Sequence, residues 1–173
     1  FPDQHRHDWL GMNPALPLRT PNIDWLGQHG TRFTRAYCTS PLCAPSRASV
    51  AAGKSYEHCG MVNNNQNYPL DQPTYYQTLR DLGYRVAGVG KFDLHKDLAD
   101  PANLDWHLDG SRLLDEWGFT EGIDNEGKLD GSTSYRIHDG PRGPYLAFLE
   151  RRGLAEAYVR EHATRDEHMD AYV

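Results

Sequence analysis

Apolar residues recur at Tyr75, Leu79 and Leu82, the i, i+4, i+7 spacing that gives a helix one buried stripe. Gly83 stops that pattern, and residues 84–90 follow as a buried strand, Tyr-Arg-Val-Ala-Gly-Val-Gly. Helix, glycine and strand in so short a run form the αβ half of a βαβ unit. Upstream, residues 22–29 predict a short helix with Asn22 as cap and Gly30 closing it. Residues 31–38 alternate in the strand manner, with Phe33 and Tyr37 inward. Pro45, the run 48–52 and Gly53 mark another helix. Residues 145–152 and 154–162 read as helices parted by Gly153. Residues 60–72 and 96–144 carry Gly, Pro, Asn and Asp with little periodicity, and read as loop and as long surface excursions.

Composition limits this picture. Six Val and three Ile are too few for a large sheet buried on both faces, whose strands are near-continuous Val, Ile and Leu; they suffice for two or three such strands, not six. Eighteen Lys and Arg against 24 Asp and Glu give a net charge of −6, which argues against nucleic acid as the main partner. No apolar run approaches the ~18 residues of a membrane span. Three cysteines are too few for a disulfide scaffold. Cys38, Cys43, His58 and Cys59 lack the paired C-x2-C spacing of a zinc knuckle. The chain opens at Phe1 without an initiator Met and ends inside a helical pattern, so residues 1–173 are expected to be one piece of a longer domain, truncated at both ends.

The densest chemistry is Cys43-Ala44-Pro45-Ser46-Arg47. It puts a thiol at the start of a helix, where free N–H groups and the positive dipole end favour an anion. Arg47, four residues on, shares the face of Cys43. Such a group suits a tetrahedral oxyanion, and it also suits a surface helix with an incidental cysteine. These residues alone leave both readings open. Lys91 follows a predicted strand, at the carboxyl edge where open α/β sheets bind ligands. His5 and His7 beside Asp3 and Asp8 read as a solvated charged loop, and His58 beside Cys59 as neighbours that do not face each other.

Cys-x-Pro-Ser-Arg with a trailing Gly resembles the signature of the type I sulfatases, in the alkaline phosphatase-like superfamily. Three further stretches are similar to that family in order along the chain: Asp3-Gln4-His5-Arg6, the run from Thr20 through Tyr37, and Gly90-Lys91 at a strand end. The resemblance is strong over residues 1–95 and weak beyond. It implies an α/β fold of three αβα layers with a mostly parallel sheet, of which this chain is an N-terminal part. It implies a sulfuric ester hydrolase in which Cys43 is converted to formylglycine by the formylglycine-generating enzyme. One hydrate oxygen attacks sulfur, the alcohol leaves, and the second hydroxyl is deprotonated and expels sulfate to restore the aldehyde. A divalent cation, usually Ca2+, takes oxygens from Asp3, Gln4 and residue 43, while Arg47, Lys91 and a histidine handle the charge of hydrate and sulfate. The substrate implied is a small-molecule or carbohydrate sulfate ester.

The sequence departs from the family at three points. Gln4 stands where many members have a second Asp, bringing an oxygen without charge. Ala51-Ala52-Gly53-Lys54 replaces the usual end of the signature. The family's His two residues after Lys91 is Asp93, and a histidine follows only at His95. The expected geometry has Asp3, Cys43, Arg47 and Lys91 meeting at the carboxyl edge of one sheet, His95 near them and Asp93 directed elsewhere. Two other readings stay open: a phosphonate monoester or phosphodiester hydrolase of the same superfamily, and a catalytically silent binding module of that fold.

Overall fold

The computed structural model describes residues 2–3, 5–95 and 103–164. The chain divides into two compact units, Phe1–Cys38 and Thr39–Val173.

Among its described residues the first unit holds one helix, α1 (Pro21–His29), with Thr20 as N-cap and Pro21 in the first turn. Pro21 supplies the fixed φ a helix start wants and has no N–H to leave unpaired, which moves the start ahead of the expected cap at Asn22. Asp24 braces the start, accepting from the Thr20 hydroxyl (2.8 Å) and the Met12 N–H (3.1 Å). Residues 31–38 are exposed and form no strand, contrary to expectation. Alternation alone does not make a strand without a neighbour to close the ladder, and this unit offers none among its described residues.

The second unit opens on α2 (Cys43–Ala52), closed by Gly53 in the left-handed conformation at φ 64°, whose N–H returns to the Ser49 carbonyl. Ala44, Ala48 and Ala51, at i, i+4 and i+7, turn a smooth face into the core. A short 3-10 turn, Tyr56–His58, and α3 (Tyr75–Asp81) follow. Thr74 and Gln77 cap α3 reciprocally, each side chain accepting from the other's backbone N–H. Then come β1 (Ala87–Gly90), α4 (Leu114–Trp117), β2 (Glu121–Asp124), α5 (Lys128–His138), α6 (Pro144–Glu150) and α7 (Ala155–Ala163). The main core joins the alanine face of α2 to Cys59, Met61, Tyr68, Val86, Leu94, Leu114, Trp117 and Phe119. A smaller cluster ties Leu146 and Leu149 of α6 to Ala155 and Val159 of α7.

Among the described residues, strand is confined to β1 and β2, which pair in parallel with Ala87 opposite Glu121 and Gly90 opposite Asp124. The expected three-layer αβα architecture with a mostly parallel sheet is therefore overturned: helix predominates around an open two-stranded sheet. The scarcity of Val and Ile is the physical reason, since little else in the chain can fill a strand buried on both faces. The strand expected over 84–90 is shorter, because residues 84–86 are fixed by other contacts: the Tyr84 N–H bonds back to Leu79, and Val86 bonds to the Thr120 hydroxyl. The stretch 96–144 is likewise no mere surface excursion. Its described part supplies β2, two helices and the buried side chains Leu104, Trp106, Leu114, Trp117 and Phe119.

Candidate functional site

Cys43 is the first residue of α2 and is half-buried. The four donors at a helix start lack partners inside the helix, and here most are accounted for. The Leu42 N–H bonds to Ser40 Oγ (3.2 Å), the Ala44 N–H bonds to Asn64 Oδ1 (3.0 Å), and Pro45 has none. The thiol therefore stands on a firmly held turn.

One turn further along α2, the Arg47 guanidinium donates to the backbone carbonyl of Lys91. Cys43 and Arg47 share a helix face through their i, i+4 spacing, and Arg47 ties that face to the segment leaving the carboxyl end of β1. This segment is pinned on both sides. The Phe92 N–H bonds to Asp124 Oδ1 (3.3 Å) at the end of β2, and the Leu94 carbonyl accepts from the Tyr68 N–H (2.7 Å). The neighbouring strand end is closed by the Asn125 N–H on the Gly90 carbonyl (2.8 Å).

Asp93 does not point elsewhere, as expected, but toward Lys91: its Oδ2 lies 3.4 Å from Lys91 Nζ. Asp93 sits at φ 61°, a left-handed backbone that aspartate tolerates better than most residues. His95 is half-buried at the end of the same segment. Asp3 lies in the first unit and is exposed, and Gln4 lies outside the described residues. Among the described residues no three His, Cys, Asp or Glu side chains come together as a cation site.

Two residues at this site escaped the sequence reading. Asn64 lay in a run of three asparagines whose only signal was loop. Asp124 ended a strand too short and polar to show, although Ile123 beside a carboxylate was a usable hint. Burial pushes the Asp124 carboxyl up to about 7; the Phe92 N–H and Arg112 oppose the rise, and the Asp93 and Glu126 charges add to it. Below about pH 4 Asp124 is protonated whether folded or unfolded, so it costs nothing. As pH rises toward 7 the unfolded chain releases the proton first, and the fold loses stability through that window. Asp124→Asn keeps the acceptor for Phe92 and cannot ionise. In urea unfolding of the full-length protein, the variant is expected to lose less stability between pH 4 and pH 8 and to exceed the parent at pH 8 by on the order of 2–4 kcal/mol. Parallel pH curves for the two proteins would refute this assignment.

A thiol thus opens α2, an arginine one turn on bonds to the backbone of Lys91, and Lys91 follows the end of a parallel strand. The family model described as Sulfatase matches residues 3–145, and the chain belongs to that family. It is 33% identical over 107 residues to an N-acetylglucosamine-6-O-sulfatase of Bacteroides thetaiotaomicron, covering 61% of this chain and 19% of the relative. It is 41% identical over 78 residues to a choline-sulfatase of Rhizobium meliloti, covering 45% and 15%, and 32% identical over 110 residues to an ulvan-active sulfatase of Formosa agariphila, covering 64% and 19%. The chain spans less than a fifth of the length of each of these relatives.

Proposed function

We propose that the full-length protein to which this chain belongs is a sulfuric ester hydrolase whose nucleophile is residue 43 after conversion to formylglycine. The observation that carries this reading is the placement of Cys43 and Arg47 on one face of α2 with Arg47 bonded to the Lys91 backbone at the strand end. In this reading the hydrated aldehyde at residue 43 attacks sulfur, Arg47 offsets the charge of the hydrate, Lys91 meets a sulfate oxygen, and His95 serves the proton on the leaving alcohol. Asp3, Gln4 and residue 43 are the share of a divalent-cation site that this chain contributes, and a Ca2+ there would supply Lewis acidity. The whole of residues 1–173 is then an N-terminal part of a sulfatase catalytic domain, and the formylglycine-generating enzyme is its maturation partner.

The names of the relatives span an amino sugar, choline and ulvan, which supports a sulfate ester of a small molecule or carbohydrate as the substrate class. The net charge of −6 argues against nucleic acid as the main partner. Among the described residues no helix is long and apolar enough to cross a membrane. The test is to express the full-length protein with the formylglycine-generating enzyme, weigh the peptide carrying residue 43, and assay an aryl sulfate. A mass loss matching thiol to aldehyde, with turnover, is the expected result. An unmodified thiol together with no turnover would sink the reading in favour of a silent module.

A further inference from the structure

The Lys91–Asp93 pair has a role beyond placing a cation at the strand end. The Asp93 side chain is only 3% exposed and that of Lys91 is 28% exposed, so the carboxylate stands behind the ammonium on its protein side. The segment is held so that this arrangement cannot relax easily. Arg47 holds the carbonyl of Lys91, Asp124 holds the N–H of Phe92, and Tyr68 holds the carbonyl of Leu94. The left-handed backbone at φ 61° then leaves Asp93 facing Lys91. A buried carboxylate 3.4 Å from an ammonium cancels much of the field that the ammonium projects onto a third group.

We propose that Asp93 is a positioning residue that holds Lys91 in an ion pair and so sets the anion pocket to favour singly charged over doubly charged ligands. The inference rests on the reading of Lys91 as a contact to the substrate anion. At neutral pH a sulfate ester carries one negative charge, whereas a phosphate monoester carries nearly two. The sulfate released by hydrolysis also carries two. An uncompensated lysine would favour the doubly charged species, holding the product and admitting phosphate monoesters. The Asp93 charge works against both, as a repulsive element that discriminates by ligand charge.

The variant Asp93→Asn removes the charge, keeps the shape and tolerates the left-handed backbone. In the full-length, matured protein its ratio of kcat/KM for an aryl phosphate over the matching aryl sulfate is expected to rise about tenfold or more, and inorganic sulfate is expected to inhibit at about tenfold lower concentration. Both shifts are relative, so a general loss of activity does not imitate them. An unchanged ratio with unchanged sulfate inhibition overturns the proposal, even where overall activity falls. A parent protein that hydrolyses no sulfate ester would sink the function reading separately. The pair is then read at Lys91 itself, by the rate at which acetic anhydride labels that amine, measured by mass spectrometry. Labelling at least about threefold faster in Asp93→Asn supports the ion pair's hold on Lys91, and equal rates overturn it. Should the asparagine variant fail to fold, Asp93→Gly suits φ 61° without a Cβ and takes the same tests.

Discussion

Cys43→Ala in the full-length protein is expected to lower sulfate-ester turnover by on the order of 10^4-fold or more, the scale of loss when a covalent nucleophile is removed. Alanine can neither be converted to an aldehyde nor attack sulfur. The fold has little reason to change. Cys43 lies outside the main core, the hydrogen bonds beside it join the Leu42 and Ala44 N–H groups to the Ser40 and Asn64 side chains, and alanine is the better helix former. The thermal unfolding midpoint should therefore stay within experimental error while kcat collapses. Turnover within tenfold of the parent, at equal protein stability, would remove Cys43 from the mechanism. Cys38 and Cys59 provide internal comparisons: Cys38 is exposed, and the buried Cys59 thiol donates to the Tyr56 carbonyl at 3.0 Å. Replacing Cys38 should leave turnover unchanged.

Sequence punctuation located the helices well where it was present. Gly53 ended α2, Gly83 followed α3, and Gly153 separated α6 from α7, each doing what a residue free to adopt positive φ does at a helix end. Punctuation was also where reading stopped. Between residues 103 and 127 the chain is dense in Gly and Asp, and its α-helix and strand are each four residues long. Neither is long enough to show a period, so Trp106, Trp117 and Phe119 carried no visible pattern although all three are buried. The expectation of a three-layer sheet came from family resemblance, while the count of six Val and three Ile had already limited the chain to two or three strands. Of the candidate site, Cys43 and Arg47 were legible because a helix fixes which residues share a face. The partners Asn64 and Asp124 were not, because they reach the site from loop and strand ends whose positions are set only by tertiary packing. Asp93 was seen and its direction misjudged: a positive φ at a non-glycine residue leaves no mark in sequence.

The two-stranded sheet that aims Lys91 depends on a pair of facing glycines, and Gly122→Ala is expected to cost about 2–4 kcal/mol of stability. Gly122 lies opposite Gly88 in the register, and a Cβ on Gly122 would stand 2.2 Å from the Gly88 carbonyl oxygen. That neighbour is backbone, so no side-chain rotation relieves the clash and the strands must part. Parting them strains the bonds beyond the strand ends, Asn125 N–H to the Gly90 carbonyl and Phe92 N–H to Asp124, which together fix the segment carrying Lys91 and Asp93. Urea unfolding of the variant should show the loss, and hydrogen exchange should show faster exchange at the Phe92 and Asn125 amides. Val89→Ala is the control, because Val89 is 80% exposed on the paired strand β1 and should cost no more than about 1 kcal/mol, the span of strand propensity. A Gly122→Ala protein as stable as that control would mean that the strands yield at little cost, and that the sheet does not hold Lys91 in place.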